Sequence, residues 1–198
     1  SLSLFGLNKP TAGKIVVEGK EAKLTDVSKA EELGIALVPE DRLTEGLFLP
    51  QSIIKNITVT RFDALASKIG FVRGGDLVEE SAKWVKELGV ATKNHEFPVQ
   101  TLSGGNQQKV VLAKWLANSP KILILNGPTV GVDIGAKYDI HKLLHKLAAE
   151  GMAIIVVSDD TAEVIATCDS AIVMHDGRIT GVLENEDLTE AKLAEPAI

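Results

Sequence analysis

Apolar residues are arranged along this chain in two patterns, and the two patterns predict different elements. Short, nearly continuous apolar runs predict strands at 14–18, 35–39, 122–125, 153–157, 170–174 and 179–183. Apolar residues repeated every three or four positions predict helices at 27–33, 106–117, 136–150 and 161–167. Because apolar strands that alternate with helices are typical of a parallel sheet covered on both faces, we expect an α/β fold.

The stretch from 41 to 98 has a different pattern. Strand-like alternation weakens there, and helical spacing appears at 53–59 and 77–88. We therefore expect a mainly helical subdomain at about 41–98, inserted into a core formed by 1–40 and 99–198. The chain opens at Ser1, within a stretch typical of a helix end, which favours an N-terminally incomplete domain.

Composition narrows the function classes. A length of 198 residues allows one large domain, and a net charge of −6 without a long Lys/Arg block argues against nucleic-acid binding. The longest apolar runs are strand-sized, far below the roughly 18 residues of a membrane span. A single cysteine, Cys168, excludes an internal disulfide and is typical of a reducing compartment.

The most informative segment lies just before the helix expected at 106–117. Ser103, Gly104 and Gly105 place a hydroxyl and two residues without Cβ atoms at a helix start, where backbone N–H groups can bind a phosphate. A plain helix cap by Ser103 is the alternative. The chain nevertheless has no G-x-x-x-x-G-K-[ST] phosphate loop. Ile15 follows Gly13-Lys14 where that loop needs Ser or Thr, so a turn into a strand is the better interpretation there.

Three motifs follow one another in the second half of the chain. They are 102–108 (Leu-Ser-Gly-Gly-Asn-Gln-Gln), 122–129 (Ile-Leu-Ile-Leu-Asn-Gly-Pro-Thr) and 131–133 (Gly-Val-Asp). Their order and spacing resemble the signature motif, Walker B strand and D-loop of ABC-transporter ATPase domains, and 38–42 resembles that family's Q-loop. The form that these motifs take here looks like the second ATPase half of the tandem ATP-binding subunits of carbohydrate importers. It is Ser-Gly-Gly-Asn-Gln-Gln-Lys at 103–109, followed by Gly-Val-Asp-Ile-Gly-Ala-Lys at 131–137. This resemblance covers essentially the whole chain and implies a P-loop NTPase-like parallel-sheet core with an inserted helical subdomain.

The resemblance also implies a composite site for ATP and Mg²⁺, completed by a partner domain. In the family, ATP lies between two domains, and the signature motif of one contacts the nucleotide held by the other. Ser103, Gly104, Gly105 and Gln107 would then contact a partner's nucleotide, while Glu40 and Asp133 would occupy the Q-loop and D-loop positions. The missing phosphate loop would lie just before Ser1.

This chain's own half of the site departs from the family pattern. Asn126 and Gly127 stand where the family has Asp and Glu, and Asp159 stands at the position of the usual switch histidine. An amide binds Mg²⁺ less well than a carboxylate, and glycine cannot polarise an attacking water. We therefore predict a degenerate site with no intact catalytic residues, although Asp159 and Asp160 also suit a helix cap.

No metal site is predicted from the four histidines. His141 and His145 lie four residues apart on one expected helix, a spacing that can bind zinc. Neither a carboxylate motif nor a cysteine motif accompanies them, so we expect a solvated helix face.

Two functions remain open at this point. The first is the C-terminal ATP-binding half of a carbohydrate ABC importer, cytoplasmic and peripheral on the membrane, partnered by another ATPase domain and by permease subunits. The second is a non-hydrolysing regulatory or vestigial interaction module with the same fold. An ABC-type domain of a DNA-repair or chromosome-organising ATPase is disfavoured by the acidic charge and by the absence of coiled-coil heptads.

Overall fold

The computed structural model describes residues 1–67 and 69–194. The strands are β1 (Ile15–Val17), β2 (Lys20–Ala22), β3 (Ile35–Val38), β4 (Ile122–Asn126), β5 (Ala153–Val157), β6 (Ser170–His175) and β7 (Arg178–Glu184). The α-helices are α1 (Val27–Glu32), α2 (Ile53–Thr58), α3 (Phe62–Leu65), α4 (Gly74–Glu87), α5 (Gly104–Leu116), α6 (Ile134–Ala149), α7 (Thr161–Thr167) and α8 (Glu190–Ala194). Within the described ranges, no helix has both the length and the apolarity needed to cross a membrane.

A parallel sheet in the order β3–β4–β5 forms the centre of the fold and confirms the expected α/β class. Ile35 pairs with Ile122, and Ile122 pairs with Ala153, so the three strands run in register. The middle strand is the most deeply buried: Leu123, Ile124 and Leu125 are all fully inaccessible to solvent. Its continuous apolar sequence is what a strand packed on both faces requires.

The expectation that the strands are covered on both faces is wrong for the last three. Ile155 and Val157 on β5 are 39% and 41% exposed, whereas the other edge strand, β3, is buried throughout. Within the described ranges, β6 and β7 pair only with each other, as an antiparallel hairpin that turns at Asp176-Gly177. The hairpin carries four apolar side chains that are 62–64% exposed, namely Ile172, Met174, Ile179 and Val182.

Side-chain caps fix where several helices start. Asp26 accepts a hydrogen bond from the Lys29 N–H at 2.9 Å, and Gly34, at φ 74°, follows the end of α1. The Asp160 carboxylate accepts from the N–H groups of Ala162 and Glu163, which confirms it as the cap of α7. Such caps satisfy donors that a first turn leaves unpaired.

Helices dominate the described part of 41–98, where the sequence predicted them. α2 and α4 pack against α5 through one core cluster, in which Ile53, Ile57, Val85, Leu88 and Val110 are buried. Apolar contact of this kind is the main force that holds such helices together. The division into a core and a helical subdomain stays a prediction.

Candidate nucleotide-binding site

The start of α5 places Ser103 at the surface. The helix begins at Gly104, two residues earlier than predicted, with Ser103 as the residue before it. The Ser103 hydroxyl makes no hydrogen bond to the helix backbone and instead accepts one from Asn106 Nδ2 at 2.9 Å. The side-chain helix cap that was the alternative for Ser103 is therefore not what the structure has.

The first turn of α5 keeps backbone donors available. Gln107 N–H donates to Ser103 O at 2.9 Å, whereas the N–H groups of residues 104–106 have no acceptor within the described chain. The aligned peptide dipoles of this 13-residue helix add positive potential at the same end. Donors and dipole together can bind an anion such as a phosphate.

The two glycines also pack tightly inside the molecule. A Cβ atom on Gly105 would lie 2.3 Å from the Ala136 Cβ atom at the start of α6. A Cβ atom on Gly104 would lie 2.9 Å from Arg42 Nη2 and 3.0 Å from the Gly131 carbonyl oxygen. Internal packing therefore requires glycine at position 105, whereas a Cβ atom at position 104 would displace the end of the Arg42 side chain and press on the Gly131 carbonyl.

Gln107 points into its own domain. The residue is buried, and its Nε2 donates to the Leu102 carbonyl oxygen at 3.2 Å. In this arrangement the Gln107 amide holds the backbone of the loop that carries Ser103 through this hydrogen bond.

The end of β4 brings two of the other predicted residues together. Asn126 Nδ2 donates to Glu40 Oε2 at 3.3 Å, so the Walker B and Q-loop positions are in contact. Gly127 has φ +56°, and its N–H donates to the Val157 carbonyl oxygen at 2.8 Å. A Cβ atom there would lie 2.8 Å from Val130 Cγ2, which explains the preference for glycine by backbone and space alone.

The end of β4 brings one carboxylate, that of Glu40, beside the Asn126 amide. Among the described residues, no group of three His, Cys, Asp or Glu side chains could hold a metal ion. Glu40 is the carboxylate in contact with Asn126, and that amide donates a hydrogen bond to it. A hard divalent cation needs several oxygen ligands, which this pair does not supply.

Asp133 and Asp160 act as helix caps, and Asp159 is exposed beside the second of them. The Asp133 carboxylate accepts from the Ala136 N–H at 2.9 Å, at the start of α6. Lys137 of the same helix binds Asp160 at 2.6 Å and holds the pKa of that carboxyl below its usual value. The ion pair thus joins the first turns of α6 and α7, next to the D-loop position Asp133 and the switch position Asp159.

A buried polar cluster behind these loops was missed by sequence reasoning. Glu163 on α7 is 1% exposed and accepts a hydrogen bond from Thr129 Oγ1 at 2.5 Å. His141 Nε2 lies 3.7 Å from the same carboxylate, and its side chain is only 15% exposed. The expected solvated face is therefore wrong for His141, whose pKa is lowered by burial. A single Glu in a short helix carries no sequence signal that it will be buried.

Comparison with known proteins agrees with this geometry. A family model described as "ABC transporter" matches residues 2–130. The ribose import ATP-binding protein RbsA of Oceanobacillus iheyensis is 40% identical over 191 residues, which make up 96% of this chain and 38% of that protein. The chain therefore spans less than half the length of the curated relatives it matches.

Solved structures show the same fold. A nucleotide-free ATP-binding cassette from an ABC transporter has a TM-score of 0.83 at 19% identity, covering 98% of this chain and 78% of that one. A dimeric ATP-binding cassette in a post-hydrolysis state, bound to ADP and Pi, has a TM-score of 0.75 at 23% identity, covering 92% and 78%. At these identities the likeness concerns the fold alone.

Proposed function

The chain belongs to the ABC transporter family of ATP-binding domains, and from this premise we propose that it is the C-terminal nucleotide-binding half of a carbohydrate importer. Relatives at about 40% identity are named as ribose import ATP-binding proteins, which makes ribose the first sugar to test. In this role the chain presents Ser103 and the first turn of α5 to ATP held mainly by a partner domain.

The state of Ser103 carries the proposal. Its hydroxyl is exposed and is not used as a helix cap, and the neighbouring N–H groups of residues 104–106 have no acceptor within the described chain. A bound triphosphate would supply the anionic oxygens that these donors suit. Gly105 lets the start of α5 lie close against α6, and Gly104 lets it lie close against Arg42 and Gly131, so that the donors stay fixed in position.

The chain's own half-site is proposed to be inactive. Asn126 and Gly127 supply neither a carboxylate ligand for Mg²⁺ nor a group that could orient water. Asn126 is moreover hydrogen-bonded to Glu40. We therefore expect Mg²⁺ at the composite site to be held by the partner domain, and hydrolysis by this chain alone to be negligible.

The proposed partners are a second ATPase domain and membrane permease subunits. The dimeric cassette with a similar fold supports the first partner, and the import function named for the relatives supports the second. The helical stretch 41–98 is the part we assign to the permease, which would place the chain on the cytoplasmic face of the membrane. Nucleic acid is not a proposed partner, since the net charge is −6.

A mixing experiment tests the proposal. An intact ATPase domain that carries its own Walker A and Walker B residues is assayed for ATP hydrolysis with and without this chain. Stimulation is expected, and Ser103→Ala is expected to reduce it by about tenfold or more, the scale of losing one transition-state donor. Ser28→Ala is the matched control, since Ser28 is also an exposed serine at a helix start. Equal stimulation by wild type and Ser103→Ala would refute the role in trans.

The alternative is a non-hydrolysing interaction module. The contact between Glu40 and Asn126 favours it, because these two side chains hydrogen-bond to each other rather than to a nucleotide or its metal ion. In that case the chain would bind the ATPase domain in sedimentation experiments without changing its hydrolysis rate.

A further inference from the structure

A short segment between β3 and α2 contacts both elements that shape the candidate site. We refer to residues 41–46 as the strap. It contains a π-helical turn, Arg42–Gly46, whose first residues are fixed by Asp41. The Asp41 carboxylate accepts from Leu43 N–H at 2.9 Å and from Thr44 Oγ1 at 2.7 Å. Single π-helical turns of this kind are rare and often occur at functional sites.

Arg42 joins the strap to the loop after β4. Its Nη1 donates to the Val130 carbonyl oxygen at 2.8 Å, and its Nη2 donates to the Gly131 carbonyl oxygen at 3.1 Å. Two consecutive carbonyls are thus held by one planar fork, a geometry that the lysine ammonium cannot reproduce. Arg42 Nη2 also lies 2.9 Å from the point where a Gly104 Cβ atom would be, so the guanidinium covers the start of α5.

The other end of the strap is fixed to α5 itself. Lys114 Nζ donates to the Gly46 carbonyl oxygen at 2.6 Å. A Cβ atom on Gly46 would lie 3.1 Å from Val111 Cγ2, which shows how closely the strap packs on the same helix. The strap therefore spans from the C-terminal half of α5 to the 130–131 loop, past the residues that begin the helix.

We infer that Arg42 is a positioning residue, which holds the 130–131 loop against Gly104 so that Ser103 is presented in one fixed orientation. This inference rests on the proposed function. Arg42 Nε is buried without a hydrogen-bond partner among the described residues, so the two loop carbonyls are the acceptors that orient the guanidinium. Removing the guanidinium leaves both carbonyls without their donor and opens space beside Gly104, and both loops then become less ordered.

Hydrogen exchange on the isolated chain tests whether Arg42 orders the two loops. Arg42→Ala is expected to raise amide exchange about tenfold at Gln107, whose N–H donates to Ser103 O, and at Val130 and Val132 in the loop after β4, the scale of losing one hydrogen bond to a charged group. Exchange in 122–125 should stay unchanged, because the central strand does not contact Arg42. Arg73→Ala, which removes an exposed arginine before α4, should leave exchange at all of these amides unchanged. Unchanged exchange at either loop in Arg42→Ala overturns the inference.

A conservative variant covers the case in which Arg42→Ala does not fold. Arg42→Lys keeps the charge but can reach only one of the two carbonyls, so an intermediate rise in exchange at 129–133 is expected. Protection equal to wild type in Arg42→Lys would show that the bidentate contact does not matter.

The mixing assay separates this inference from the proposed function. Arg42→Ala is expected to lower the stimulated kcat about tenfold at saturating ATP, because a mispositioned Ser103 acts mainly in the transition state. If Ser103→Ala lowers stimulation and Arg42→Ala does not, the positioning role fails while the proposed function stands. If neither variant changes stimulation, the proposed function fails and the positioning role fails with it.

Discussion

Lys114 allows a sharp prediction about stability and pH. The residue lies on α5, is 6% exposed, and has the Gly46 carbonyl as its hydrogen-bond acceptor. Burial without an opposing carboxylate lowers its pKa to about 8. We predict that Lys114→Met removes a pH-dependent loss of stability that the wild-type chain has near neutral pH.

The magnitude follows from the pKa change. Lowering the pKa from 10.5 to about 8 corresponds to about 3 kcal/mol, at about 1.36 kcal/mol per unit. Since the folded pKa is the lower one, the unfolded chain binds more protons between about pH 8 and pH 10.5, and stability rises with pH across that window. Between about pH 7 and pH 9.5 the wild-type free energy of unfolding should therefore gain about 2 kcal/mol from this one residue.

Urea unfolding at both pH values measures the effect. The gain between the two pH values should be about 2 kcal/mol smaller in Lys114→Met than in wild type. Methionine keeps most of the buried volume, and the lost hydrogen bond to Gly46 is a roughly constant offset of about 1–3 kcal/mol that cancels in the comparison. Lys142→Met, at an exposed position of α6, should leave the difference in unfolding free energy between the two pH values as it is in wild type. Identical pH dependence in wild type and Lys114→Met would refute the reasoning.

Two further variants test internal packing around the site. Gly105→Ala should destabilise the chain by about 1–3 kcal/mol in urea unfolding, since its Cβ would lie 2.3 Å from the rigid Ala136 Cβ. Gly75→Ala in α4, where nothing lies within 4 Å, should instead be neutral or stabilising. Thr129→Val should cost about 1–3 kcal/mol, because the buried Glu163 carboxylate loses its hydroxyl donor; a loss within about 0.5 kcal/mol of zero would show that the cluster tolerates an unpaired acceptor.

Much of the fold follows from local sequence patterns. The strand predicted at 153–157 and the helix predicted at 161–167 have the bounds that the structure shows, because apolar runs and an aspartate cap mark them. The exposed faces of β5 and of the β6–β7 hairpin could not be predicted in the same way. An apolar run indicates that a strand can be buried, but what covers it is decided by long-range packing that the run does not encode.

The candidate site was predictable where short motifs specify chemistry, and not where distant residues meet. Ser103 and Gly104 stand out in sequence because glycines after a hydroxyl residue at a helix start are unusual. Arg42 does not stand out, although its side chain contacts carbonyls 88 and 89 residues away. Glu163 and Thr129 are separated by 34 residues, and nothing in either local sequence indicates the hydrogen bond between them.

The geometry also decides which residue of the signature motif can report on function. Gly105 is needed for packing against Ala136, and Gly104 lies close to Arg42 and Gly131, so a side chain at either position would disturb packing even in a chain with no nucleotide role. Ser103 has no such requirement, because its exposed hydroxyl caps no helix and, among the described residues, hydrogen-bonds to the Asn106 amide alone. Loss of activity in a glycine variant would therefore mix folding with function. A change in Ser103→Ala isolates the hydroxyl, which makes this serine the residue on which the proposal depends.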